Sequence, residues 1–211
     1  MYNSLSKRLS AVASLVNDGS VIVDVGCDHG YIPVYLVLSG RAKSAIACDI
    51  NRGPLDSCVA LVNSYNLGDR IQCVLSDGLD NIDGKSVDDI VIAGMGGELI
   101  ADILSRCDYA RQKHLVLNPM THPELARKWL YDNGYSIDND IIVADAGHHY
   151  SIFDAHYTGI IRDRDDIDYF LGNITDYSDK EYFLHLLNYL RNKQKGGADY
   201  TRLIDTIEDR I

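Results

Sequence analysis

Apolar and polar positions follow two alternating periods along this chain. Short apolar runs at residues 20–25, 45–49, 71–75, 89–93 and 114–118 have the length and β-branched content of buried parallel strands. Between them the spacing is helical. Residues 4–16 carry Leu5, Leu9, Val12, Leu15 and Val16 at helical intervals, with Lys7 and Arg8 off the stripe, and Asn17-Asp18-Gly19 stops the run. A second helix starts at Tyr31. A third runs from Pro54, which suits a first helical position, to Asn66, and Gly68 ends it. A fourth begins near Glu98. A fifth follows Thr121-His122-Pro123-Glu124, which reads as a capping box, shows Leu125, Trp129 and Leu130 to the core, and stops at Asn133-Gly134. Two further β runs, 140–145 and 149–157, flank Ala146-Gly147 as an antiparallel hairpin. This alternation predicts a doubly wound α/β sheet over residues 1–161.

The pattern changes after Ile161. Residues 162–166 are a charge run, most simply a solvated linker. Ser178 and Glu181 frame a second capping box, opening a helix with Phe183, Leu186, Leu187 and Leu190 on one face. Gly196-Gly197 breaks it, and Tyr200, Leu203, Ile204, Ile207 and Ile211 then repeat at helical spacing. The expectation is a small second unit, residues 162–211, folded as a coiled-coil-like helical hairpin. Arg191, Lys193 and Lys195 crowd the end of its first helix, where they either meet the helix dipole or contact phosphate.

Composition narrows the function. At 211 residues and 46% hydrophobic, the chain has ample core for one domain and a small appendage. A formal net charge of −11 weighs against a general nucleic-acid binder, while leaving room for RNA contact through a segregated basic face. Cys27, Cys48, Cys58, Cys73 and Cys107 form an odd set with no C-x-x-C pair, so buried free thiols in a reducing cytoplasm are expected. Nothing approaches a membrane span, and a cytoplasmic protein without membrane contact is expected. No metal is expected either: His29 has no second ligand at a metal-like spacing, and His148-His149 belong to the distant hairpin.

The chemistry concentrates where the first strand ends. A dinucleotide fingerprint needs G-x-G-x-x-G so that backbone can approach a pyrophosphate. Here the pattern is Asp24-x-Gly26-x-x-x-Gly30, and Asp28 occupies the place of the middle glycine. A carboxylate there repels pyrophosphate and suits a cationic ligand such as S-adenosylmethionine; a nicotinamide oxidoreductase is disfavoured for the same reason. The bend is expected to leave bare backbone N–H groups at the sheet's carboxyl edge. Asp49, about 20 residues on, stands where an acidic residue accepts ribose hydroxyls, or is simply a solvated strand-end carboxylate. Asp77 is placed to accept from an adenine amine, or to form an Asp-Gly turn with Gly78. Gly94-Met95-Gly96-Gly97 permits close backbone approach to a ligand.

Three segments together resemble one family. Asp24-x-Gly26-x-Asp28-His29-Gly30-Tyr31-x-Pro33, Ala93-Gly94-Met95-Gly96-Gly97 and Leu5-Ser6-Lys7-Arg8-Leu9 are similar to the bacterial TrmK family, tRNA (adenine-N1)-methyltransferases acting on adenine 22. The family commonly has Gln-Pro-Asn after the fifth strand, where this chain has Asn118-Pro119-Met120, and often Ser and Ala at Cys27 and Gly30. The resemblance implies a class I, Rossmann-like S-adenosylmethionine-dependent methyltransferase, a tRNA partner, and a monomer or weak homodimer. It implies a cofactor crevice of Asp24, Gly26, Cys27, Gly30, Asp49, Ile50, Asp77, Gly78, Ala93, Gly94, Met95 and Gly96. Asp28, His29, Tyr31 and Asn118 are the expected methyl-transfer residues, the Asn118 amide bonding an adenine edge. Remaining rivals are methyl transfer to a protein or small molecule, and a cofactor-binding scaffold without turnover. Adenine N6 chemistry is disfavoured, since Gly94-Met95-Gly96-Gly97 stands where its D/N-P-P-aromatic signature belongs.

Overall fold

In the computed structural model, which describes residues 5–211, the apolar runs become one seven-stranded sheet. Its strands are β1 (Ser20–Val25), β2 (Ala42–Asp49), β3 (Ile71–Leu75), β4 (Asp89–Gly96), β5 (His114–Thr121), β6 (Tyr135–Asp145) and β7 (His148–Tyr157). They lie in the order β3-β2-β1-β4-β5-β7-β6. The first five are parallel, and β7 runs antiparallel between β5 and β6. The order reverses between β1 and β4, which opens a crevice beyond their carboxyl ends.

The helices are α1 (Lys7–Leu15), α2 (Tyr31–Leu38), α3 (Arg52–Ser64), α4 (Gly97–Ser105), α5 (Pro123–Asp132), α6 (Asp166–Leu171), α7 (Lys180–Lys195) and α8 (Thr201–Glu208). Because side chains alternate across a strand, each central strand feeds two cores. Ile90, Ile92, Leu115 and Leu117 pack with Ile100, Ile103 and Leu130 of α4 and α5. Val91 and Val116 pack with Val12, Leu36 and Val62 of α1, α2 and α3 on the other face.

Several helix starts differ from the sequence expectation, each because a nearby backbone group is already engaged or a better cap is available. Ser6 caps α1, its Oγ accepting from the Leu9 N–H at 3.3 Å; Ser4, the expected start, lies outside the described residues. Asn51 is the N-cap of α3, so Pro54 sits at the third helical position. Thr121 is not the N-cap of α5, because it still pairs with Gly96 in the β4–β5 ladder. His122 turns the chain with φ 53° instead, and Pro123 opens the helix. Leu125 and Trp129 are only half-buried on that helix, whereas Ala126, Arg127, Leu130 and Tyr131 are buried. Asp179, rather than Ser178, caps α7 by accepting from the Tyr182 N–H at 3.1 Å.

The charge run is more than a linker. Asp165 accepts from the Ile167 and Asp168 N–H groups, and the Asp168 carboxylate accepts from the Asp165 N–H, a reciprocal capping box that starts α6. Helices α6, α7 and α8 share a third apolar cluster around Leu171, Phe183, Leu187, Leu190, Leu203 and Ile207, with Ile142 of β6 packed against it. Of the basic cluster, Arg191 pairs with Glu208, Lys195 donates to Asn192, and the Lys193 ammonium stands 5.5 Å from the Tyr189 ring centre.

His114, at the amino end of β5, ties three strands together. Its Nε2 lies 3.1 Å from Asp154 Oδ2, and its Nδ1 is 3.3 Å from Asp89 Oδ2 but out of hydrogen-bond line. Burial opposes the imidazolium, yet Asp154 and Asp89 outweigh it and raise the pKa from 6.5 to about 9. A raised histidine stabilises fully below its unfolded pKa and loses that contribution as pH climbs through the folded value. Thermal melts should therefore show a loss on the order of 2–3 kcal/mol between pH 6.5 and 10. A His114→Gln variant should flatten the profile; parallel wild-type and variant curves would remove the role.

Candidate functional site

The bend after β1 is tied to β2 rather than left open. The Gly26 and Cys27 N–H groups both donate to the Cys48 carbonyl at 2.8 and 2.9 Å. The Asp28 N–H donates to Asp49 Oδ2 at 3.3 Å, and the Gly30 N–H to the Cys27 carbonyl at 2.7 Å. Four donors of the bend, on Gly26, Cys27, Asp28 and Gly30, are thus consumed internally. What it offers instead is a carboxylate. Asp28 sits in the left-handed region at φ 49°, its side chain 67% exposed and 3.6 Å from His29 Nε2. The His29 ring stacks on Tyr31 at 5.5 Å. Gly30 is required twice over: its φ is 74°, and a Cβ there would lie 2.4 Å from Cys58 Sγ on α3.

Two further carboxyl groups stand behind Asp28. Asp49 ends β2 and is buried, its Oδ1 accepting from the Asn51 N–H at 2.8 Å. Asp24, inside β1, is buried too; burial first, and then the nearby Asp49 charge, push its pKa up to about 7. A pair of acidic groups held this way is stabilised by an incoming positive charge. Ile50 next to Asp49 is exposed, as are Tyr31, Leu75 and Met120, so apolar side chains ring the carboxyl ends of β1, β2, β3 and β5. Carboxylates inside an apolar rim suit a cationic nucleoside better than a polyphosphate.

The strand register brings most of the expected residues side by side. Val25 pairs with Ile92, which sets Gly26 beside Ala93, and Ala93 pairs with Asn118. The Met95 side chain lies against Gly26, and Cys27 is buried beneath the bend. Gly94 opens onto the crevice with no neighbour where a Cβ would stand. The other glycines of that loop serve packing more than ligand approach. Gly96 faces Thr121 Oγ1, and a Cβ on Gly97 would fall 2.1 Å from the His122 carbonyl oxygen.

Three expected residues stand differently. Asn118 is fully buried, and both ends of its amide are committed: Oδ1 accepts from Arg8 Nη1 at 2.8 Å, and Nδ2 donates to the Ser151 carbonyl at 3.0 Å. Asp77 Oδ1 is held by Arg106 Nη2 at 3.1 Å, so its charge is shared with that guanidinium. Gly78 makes its close approach to Ile103 of α4. The sequence reading missed Arg8, which reaches from α1 to Asn118 and lies 5.2 Å from the Tyr150 ring centre. Its signal was present: Arg8 lies off the apolar stripe of α1, inside one of the resembling segments. Among the described residues no group of three or more His, Cys, Asp or Glu is placed to hold a metal, and no helix is long and apolar enough to cross a membrane.

Comparison with known proteins finds relatives along most of the chain. The methyltransferase-domain family matches residues 5–153. The tRNA (adenine(22)-N(1))-methyltransferase of Bacillus subtilis (strain 168) is 38% identical over 165 residues, covering 74% of this chain and 69% of that protein. The crystal structure of the B. subtilis M1A22 tRNA methyltransferase TrmK superposes with a TM-score of 0.82 at 30% identity, over 98% of this chain and 95% of that one. M. capricolum TrmK, solved in complex with S-adenosyl-homocysteine, superposes with a TM-score of 0.81 at 27% identity, over 99% and 95%. The likeness reaches through the C-terminal helices as well as the sheet, and on these grounds the chain belongs to the TrmK family of tRNA (adenine(22)-N(1))-methyltransferases.

Proposed function

We propose that this chain transfers a methyl group from S-adenosylmethionine to N1 of adenine 22 in tRNA. The observation that carries the reading is the bend after β1, whose Gly26, Cys27 and Asp28 N–H groups are spent on β2 while the Asp28 side chain is exposed beside buried Asp49 and Asp24. The activities of the similar B. subtilis protein and the ligand of the M. capricolum structure support it.

When bound, S-adenosylmethionine supplies an electrophilic methyl group on a positively charged sulfur. Neutral adenine has a lone pair on N1, so this chain needs no general base; its residues orient and support charge. Asp49 would hold the cofactor's ribose through its carboxylate, and the exposed Ile50 beside it would give the nucleoside an apolar contact. Asp28 would hold negative charge at the mouth of the crevice, and the stacked His29–Tyr31 pair would supply a face for the target ring. Asn118 acts through Arg8, whose guanidinium its Oδ1 holds at 2.8 Å. A target base in folded RNA must swing out of its stack, costing roughly a few kcal/mol.

The chain works in this reading as a cytoplasmic monomer or weak homodimer, with residues 1–161 as catalytic domain and 162–211 as helical extension. The test is methylation of a tRNA transcript with labelled S-adenosylmethionine, the product base mapped afterwards. Asp28→Ala should slow the single-turnover rate at least about tenfold, while weakening S-adenosylhomocysteine binding by less. Equal rates for variant and wild type would remove Asp28 from the chemistry. Label on a protein or small molecule, and none on tRNA, would move the activity to another substrate.

A further inference from the structure

A second concavity of about 460 Å³ lies between the end of β5, the β6–β7 turn and helix α7. That volume falls in the range of small-molecule sites, roughly 300–1,000 Å³. Its walls are rings. His149 lies 6.4 Å from Tyr182 and 6.2 Å from His185, and Phe170 faces Tyr189 at 6.5 Å. No lysine or arginine lines it, and the one carboxylate in the lining, Glu124, is met by His122 Nδ1 at 3.0 Å. The histidines form no metal cluster among the described residues.

We propose that this cavity receives a base of the substrate RNA, from a nucleotide other than the one methylated, stacked among the rings of α7 and the hairpin. The inference rests on the tRNA reading above and deepens it. Absence of lining cations disfavours a phosphate, whereas aromatic walls bind bases of any sequence through their π-faces. Swinging one nucleotide into the crevice strips its neighbours of a stacking partner, and a ring-lined pocket nearby replaces what they lose. Position agrees. Thr121 at the rim is three residues beyond Asn118 on the same strand, about 10 Å. His122, also at the rim, packs its carbonyl directly on Gly97, so the Gly94-Met95-Gly96-Gly97 loop and the pocket share one wall. Lys193, beside Tyr189, offers a cation to the adjoining backbone.

The test is the double variant His185→Ala/Tyr189→Ala, two exposed positions on α7. Losing a base stack should weaken tRNA binding by roughly five- to a hundredfold, with S-adenosylhomocysteine affinity within about twofold of wild type. Phenylalanine at both positions should restore tRNA affinity, since a ring is what the base needs. Transcripts carrying a single abasic nucleotide near the methylated adenine should include one that binds wild type more weakly and shows no further loss on the double variant. Unchanged tRNA affinity in the double variant, or failure of the phenylalanine pair to restore it, overturns the base pocket while leaving the methylation reading intact. A wild-type chain that neither binds nor methylates tRNA overturns both.

Discussion

Replacing Arg127 with methionine should lower the unfolding free energy by about 3–5 kcal/mol, the range for leaving a buried charge without its partner. Arg127 has no exposed surface and holds Asp140 through two bonds, Nε to Oδ2 at 2.8 Å and Nη2 to Oδ1 at 2.9 Å. The rest of the fork donates to Ser151 Oγ at 2.6 Å and to the Tyr169 and Phe170 carbonyls at 3.2 and 3.1 Å. One guanidinium therefore joins α5, β6, β7 and α6, and attaches the C-terminal helices to the sheet. Burial disfavours the guanidinium, but Asp140 holds its pKa above the ordinary value, so the charge persists. The loss should appear as a lower urea midpoint. The paired variant Arg127→Met/Asp140→Leu should recover most of it, because no lone charge remains. If the single variant unfolds at the wild-type midpoint, the clasp is not what secures α6.

Removing the Asp49 charge should weaken S-adenosylmethionine binding by roughly 10–100-fold, the scale of one or two charge-assisted hydrogen bonds. Asp49→Asn is the informative change. Its single amide oxygen can keep the shorter bond, from the Asn51 N–H that Asp49 Oδ1 now holds at 2.8 Å, while the longer 3.3 Å bond from the Asp28 N–H to Oδ2 is given up. The pH profile gives a second readout. Asp24 has a folded pKa of about 7, above its ordinary value of 3.8. A raised carboxyl stabilises the empty fold below its unfolded pKa and loses that contribution as pH rises through the folded value. A bound cation reverses the preference by favouring the carboxylate, so affinity for the sulfonium cofactor should rise from pH 6 to 8. With Asp49→Asn the rise should move to lower pH, since one cause of the Asp24 shift is gone. Calorimetry showing the same affinity and pH profile in both proteins would take Asp49 out of the site.

The C-terminal unit shows where local and tertiary information part. The apolar stripes of α7 and α8 were legible because a buried helix face repeats at 3.6 residues whatever it packs against. Helix α6 was not, because its first turn is written in charged residues: Asp165 and Asp168 look like a solvated run until their side chains close on each other's backbone. Arg127 was invisible for a related reason. An arginine next to Lys128 reads as surface, and only the arrival of Asp140, thirteen residues away in sequence, allows it to be buried.

By itself, the sequence determined the strand order's raw material, the carboxylate-bearing bend at Asp28, and the acidic end of the second strand at Asp49. These are local: a strand, a glycine turn and a helix start lie within a dozen residues, and their side-chain chemistry needs no partner to be recognised. Only the tertiary structure decided that the bend spends its Gly26, Cys27 and Asp28 N–H groups on Cys48 and Asp49, that Arg8 occupies the Asn118 amide oxygen, and that Gly97 is needed for His122 rather than for a ligand. Each of those depends on which distant group comes within about 3 Å, and hydrogen bonds and steric contacts act only at that range.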